Sequence, residues 1–153
     1  MADLLNNTNS NANNYGDDAI VTLSPREHIR LRPGMYVGVV GDGSQPDEAL
    51  YVLIKEVVDN SIDEFIMGAG RQIDITLADN VVTVRDYGRG IPLKSLAAAV
   101  GQMNTGGKYG GDAFKKTVGL NGVGVKAVNM LSEEFTARSV RDGEARTVTF
   151  AQG

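Results

Sequence analysis

Cysteine and tryptophan are missing from this 153-residue chain, and histidine occurs once, at His28. Without cysteine there can be no disulfide, no thiolate metal site and no thiol nucleophile. A single imidazole excludes a multi-histidine metal centre and leaves most histidine-driven catalysis without its base. Long hydrophobic runs are lacking too. Stretches such as Leu96 to Val100 fall far short of the roughly 20 apolar residues that cross a bilayer. The N-terminus carries neither a basic region nor an apolar one of the secretory kind, which predicts a cytoplasmic chain without a membrane partner. Positive charge is not in excess either. A net charge of −4 argues against gripping nucleic acid by bulk charge in this part of the molecule. Chemistry here falls to carboxylates, amides, lysines, arginines and backbone groups.

What the chain has in plenty is glycine: 19 residues, eight of them between Gly101 and Gly124. Average usage is about 7%. The length suits one domain, and 42% hydrophobic with 22% charged residues is ordinary for a globular fold. Residues 1–14 are rich in asparagine and aperiodic, and are expected to form a flexible arm; residues 15–153 form the domain. A short extended piece, Ala19 to Leu23, precedes a brief helix with Ser24 as its cap and Pro25 in first position, ended by Arg32-Pro33-Gly34. After a Gly/Asp-rich loop, the spacing predicts a long helix from about Pro46 to Met67, closed by Gly68. Its apolar side is Leu50, Ile54, Val57, Val58, Ser61 and Phe65. A hairpin follows, with Ile73, Ile75 and Leu77 alternating, a turn at Ala78-Asp79-Asn80, and a return through Val82 and Val84. A short helix to Val100, the glycine-rich stretch, a helix from about Gly122 to Leu131, and a second hairpin from Phe135 to Phe150 turned at Asp142-Gly143 complete the order. This is an α+β pattern with antiparallel strands.

Three features could carry chemistry. Glu56, Asn60 and Asp63 share one stripe of the long helix, either a solvated face or a carboxylate that orients water beside an amide that holds Mg²⁺. Asp86 shares strand parity with Val82 and Val84. It either opens the turn Tyr87-Gly88-Arg89-Gly90 or points to the core, where a donor such as an adenine amine would satisfy it. Gly119-Leu120-Asn121-Gly122-Val123-Gly124 leads into a helix and could bring backbone N–H groups to an anion; upstream, Gly106-Gly107-Lys108 and Gly110-Gly111 suggest a flap. No Walker string is present. Gly122, Gly124 and Ala127 with Glu144 form only a weak Rossmann fingerprint, because Lys115-Lys116-Thr117 stands where an apolar strand would have to be.

The order of these strings, with Glu56-Val57-Val58-Asp59-Asn60, Asp86 to Pro92 and Gly119 to Gly124, resembles the nucleotide-binding motifs of the GHKL ATPases. Arg32-Pro33-Gly34-Met35-Tyr36-Val37-Gly38 and Val58-Asp59-Asn60-Ser61-Ile62-Asp63-Glu64 narrow the resemblance to the B subunits of bacterial type IIA topoisomerases, topoisomerase IV or gyrase. It covers about Tyr15 to Gly153. It implies a GHKL (Bergerat) two-layer α/β sandwich with a mainly antiparallel sheet, truncated on its C-terminal side. It also implies ATP and Mg²⁺ as cofactors, a second B subunit and an A subunit as partners, and DNA reached through the full assembly. By the same resemblance Glu56 would activate the attacking water, Asn60 would hold Mg²⁺ and Asp86 would accept from adenine. Glu64 and Arg89 would pair at the pocket mouth, and Gly90, Ile91 and Pro92 would wall it. Gly107, Lys108, Leu120, Asn121, Gly122, Val123, Gly124 and Val125 would hold phosphates, and Tyr15 would reach the partner's nucleotide. A GHKL chaperone or mismatch-repair ATPase, or a Rossmann NAD-binding protein, is the alternative.

Overall fold

The computed structural model describes residues 19–107 and 122–153. Helix α1 (Pro25–Leu31) begins as its cap predicts: the Glu27 N–H donates to Ser24 Oγ at 3.3 Å, and Glu27 Oε2 accepts from the Ser24 N–H at 2.8 Å. Arg32-Pro33-Gly34 ends α1 but also starts a one-turn helix, α2 (Gly34–Val37), absent from the sequence expectation. The φ of −59° at Pro33 already suits a helix, so the proline that stops one helix caps the next. Residues 20–23 join no strand.

Helix α3 (Ala49–Ile66) starts later than predicted, because Glu48 is extended and its carboxylate folds back to accept the Gly43 N–H at 2.5 Å. It ends where Gly68 takes a φ of +82°. Its burial departs from the amphipathic expectation. Leu50 and Phe65 are more than half exposed, whereas Asp59, Ser61 and Asp63 are buried. The cause is that α3 packs against three elements, α5, β2 and α2. Of its polar stripe, Asp63 is buried and Glu56 half-buried, while Asn60 stays exposed.

Strands β1 (Ile73–Ala78) and β2 (Val81–Asp86) pair antiparallel, with Ile73 opposite Asp86 and Leu77 opposite Val82. Their two-residue turn puts Asp79 and Asn80 at positive φ, the geometry that matches strand twist. A 3₁₀ turn (Leu93–Ser95) leads into α4 (Leu96–Gly101), and α5 spans Gly124–Leu131. Strands β3 (Glu134–Arg141) and β4 (Glu144–Ala151) form the second antiparallel hairpin, turned at Asp142-Gly143. Each hairpin is its own two-stranded sheet among the described residues. The result is the expected α+β arrangement.

The core collects around α5, which touches α1, α2, α3, α4 and β3. Ile29, Val37, Leu96 and Val100 meet Ala127, Val128 and Met130 there. Asn129 is fully buried among them and donates from Nδ2 to the Val100 carbonyl at 3.1 Å. At the C-terminal end of the helix, Arg30 of α1 donates to the Met130 carbonyl at 2.8 Å, capping a group that would otherwise lack a donor.

Candidate functional site

Glu56 points from α3 toward the first turn of α5. A Cβ built on Gly124 would overlap its carboxylate, so only glycine lets the two elements approach this closely. The carboxylate thus sits against the N-terminal end of α5, where unpaired N–H groups and the helix dipole favour negative charge. Gly122, at φ +61°, turns the chain into that end, with Val123 as the cap and Gly124 and Val125 opening the helix. One turn along α3, Asn60 is exposed and donates from Nδ2 to the Glu56 carbonyl at 2.7 Å. This fixes which way the amide faces, and its oxygen is the atom with affinity for a hard cation.

Asp86 closes β2 on the side that faces α3. Its Oδ2 accepts from Ser61 Oγ at 3.4 Å and its Oδ1 from the Gly88 N–H at 2.9 Å. It follows the parity of Val84 but is exposed, not buried, because it opens on a cavity of about 220 Å³ lined also by Ser61, Phe65, Gly70, Ile73 and Tyr87. One carboxylate oxygen is committed to the backbone, and the other carries only a long bond. Ser61, buried beside it, was expected only on the apolar side of the helix, where nothing in the spacing tied it to Asp86.

Glu64 and Arg89 form a fork. Arg89 Nη2 donates to Oε1 at 2.8 Å and Nε to Oε2 at 3.1 Å, and the Arg89 N–H adds a third bond at 3.0 Å. These bonds hold the Glu64 carboxyl below the usual carboxylate range, against a smaller upward push from partial burial, with Arg141 adding a weak field. A Cβ on Gly88 would lie 2.8 Å from Glu64 Oε2, so glycine is what lets Glu64 reach across. Gly90 has φ +72°, and the exposed Ile91 and Pro92 follow it. These three do not line the Asp86 cavity.

Gly107 is exposed. The segment leading to it is held by Lys126, a buried lysine on α5 whose Nζ donates to the Thr105 carbonyl at 2.7 Å. Nothing in the spacing had singled Lys126 out; a cation in the middle of a Val-Ala-Val-Met helix was the available clue. Tyr15, Lys108, Leu120 and Asn121 lie outside the described residues, as do the arm and most of the glycine-rich flap. Among the described residues no three His, Cys, Asp or Glu side chains cluster as a metal site, and no helix is long and apolar enough to cross a membrane.

The described residues thus offer a half-buried carboxylate against a glycine-opened helix N-terminus, an amide one turn away and a cavity-facing aspartate at a strand end. Residues 45–152 match the family of histidine kinase-, DNA gyrase B- and HSP90-like ATPases, and the chain belongs to that family. It is 56% identical over 140 residues to the B subunit of DNA topoisomerase 4 from Borreliella burgdorferi, covering 92% of this chain and 23% of that protein. It is 43% identical over 152 residues to the B subunit of DNA gyrase from Rickettsia conorii, covering 94% of this chain and 18% of that one. The chain thus spans about a fifth of the length of these relatives. Among solved structures it resembles the ATPase and transducer domains of DNA topoisomerase II from Balamuthia mandrillaris. The TM-score is 0.74 at 27% identity, over 88% of this chain and 42% of that one.

Proposed function

We propose that this chain is the ATP-binding and ATP-hydrolysing N-terminal part of the B subunit of a bacterial type II topoisomerase. Closure of two such subunits on ATP would gate the passage of DNA through an assembly completed by the A subunit, in the cytoplasm. The observation that carries this reading is the Glu56 carboxylate lying against Gly124 at the start of α5. That closeness supports a reading in which a water-activating base works beside an anion-binding helix end. The relative at 56% identity favours topoisomerase IV over gyrase.

The residues present fit the ligands this function needs. Backbone N–H groups from Gly122 to Val125 would receive phosphate oxygens. Asn60 would hold Mg²⁺, which needs only one or two protein ligands when phosphates and water complete its shell. The ion's contribution when bound is to neutralise charge on the phosphates. The chain's own residues do the rest: Glu56 orients and deprotonates water, Asp86 reads the base, and the Glu64–Arg89 pair fixes the mouth. Catalysis of this kind is positioning and electrostatics rather than covalent chemistry.

The test is calorimetry on the full-length subunit with ADP, GDP and NAD. Asp86 accepts from the six-amino group of adenine and repels the carbonyl of guanine. An unpaired acceptor costs about 1–3 kcal/mol, so ADP should bind at least about tenfold more tightly than GDP. Asp86→Asn, whose amide can also donate, should shrink that preference. Equal affinity for ADP and GDP in the parent, or a preference for NAD, would refute the assignment.

A further inference from the structure

The stretch from Tyr87 to Pro92 joins no helix or strand, so no ladder fixes its path. Side chains hold it instead, and they come from two directions. On one side Glu64 takes the Arg89 N–H and guanidinium. On the other, the β3–β4 hairpin donates four times to the segment's carbonyls and to those just beyond it, the longest bond running from Arg146 to the Lys94 carbonyl at 3.4 Å. Ser139 Oγ bonds the Ile91 carbonyl at 2.7 Å, Arg141 Nη1 the Gly90 carbonyl at 3.2 Å, and Arg146 Nη1 the Leu93 carbonyl at 2.8 Å. Ser139 and Arg146 are directly paired across the two strands, so one face of the hairpin presents both donors together.

Ser139 is out of place by pattern. It follows Phe135 and Ala137 on the inward face of β3 and is 5% exposed, a position where a hydroxyl is costly unless it is bonded. Gly90 completes the fit. A Cβ there would overlap the Val140 carbonyl and lie 3.0 Å from Ser139 Oγ, so the segment's backbone rests directly on the hairpin.

We propose that Ser139 and Arg146 are positioning residues for nucleotide binding: they fix the carbonyls of Ile91 and Leu93, and so hold the segment that carries Arg89 to the mouth of the site. This rests on the function proposed above, in which the Glu64–Arg89 pair fixes that mouth. The two side chains bond backbone carbonyls between Ile91 and Lys94 and not Glu56, so their effect falls on binding and leaves the Glu56 chemistry alone.

The experiment is steady-state ATP hydrolysis with the full-length subunit carrying Ser139→Ala, Arg146→Ala or Arg146→Lys. Loss of one partly buried hydrogen bond corresponds to about fivefold in an equilibrium constant. Ser139→Ala should therefore raise KM for ATP about fivefold with kcat within about twofold of the parent. Arg146→Ala, at an exposed residue whose loss does not threaten folding, should raise KM about two- to threefold. Arg146→Lys, which keeps one donor, should restore it. Unchanged KM in both alanine variants would overturn the proposal. So would KM and kcat worsening together in Arg146→Ala, which would mark a general structural role. A parent enzyme that turns over no ATP would instead refute the proposed function, and the positioning role with it.

Discussion

Gly124→Ala separates what a residue does for the fold from what it does for chemistry. The added methyl would overlap the Glu56 carboxylate and lie 2.9 Å from its Cγ, so the whole glutamate side chain has to swing aside. Gly124 opens α5, and alanine in a helix gains about 0.5–1 kcal/mol over glycine. Forcing a side chain about 30° off its rotamer costs about 0.5–1.5 kcal/mol, so the two effects nearly cancel. The stability of the protein should therefore change by less than about 1 kcal/mol. Activity should not be spared. Misplacing a reacting group by about 1 Å can cost 10²-fold, and clearing this overlap moves the carboxylate on that scale. The expected result is an unfolding midpoint close to the parent's with kcat lower by about 10²-fold. The cycle with Glu56→Gln makes the reasoning refutable. If Gly124 acts by leaving room for the carboxylate's proper position, Gly124→Ala should add little to a protein already carrying Glu56→Gln. Fully additive losses, or a kcat within about threefold of the parent in the single variant, would show that the contact with Glu56 is not what glycine is there for.

The Glu64–Arg89 pair makes a pH prediction. Because Glu64 is held below its ordinary range in the folded state, its contribution is fully present above the ordinary glutamate range and is lost as pH falls through the lowered value. The urea midpoint of the parent should exceed that of Arg89→Gln at neutral pH, and the gap should close on acidification; a gap independent of pH would contradict the pairing. Gly90→Ala should destabilise by at least about 1–2 kcal/mol, the cost of a side chain at left-handed φ, because φ is +72° and the new methyl also meets the Val140 carbonyl. Denaturant titration measures it, and an alanine variant as stable as the parent would show the segment free to move off the hairpin.

The elements were legible because their signals are local. Ser24-Pro25, Gly68, Asp79-Asn80 and Asp142-Gly143 mark starts, stops and turns by backbone preference, and each falls where the structure puts one. What periodicity could not convey is how many neighbours a helix has. A repeat of 3.6 assumes one buried face, yet α3 packs against α5, β2 and α2, and Asp59 and Asp63 end up buried. Asp86 shows the complementary limit. Its parity identified the side it faces, but exposure depends on what stands opposite, and there the chain leaves a cavity. The pairings of Ser61, Lys126 and Ser139 were not legible for a common reason. Each is a polar residue embedded in an apolar pattern, and its partner lies more than twenty residues away in sequence.

Helix α5 begins at the candidate phosphate loop and, within two turns, supplies Ala127, Val128, Asn129 and Met130 to the most buried part of the molecule. Ligand and core therefore compete for nothing and share everything: whatever steadies one end of these eight residues steadies the other. On the proposed function, a bound nucleotide would be a folding partner, adding RT ln(1 + [L]/Kd) to the stability of the very helix around which the chain condenses. Substitutions at Val128 or Met130 masked at saturating nucleotide would then show in unfolding experiments once it is withdrawn.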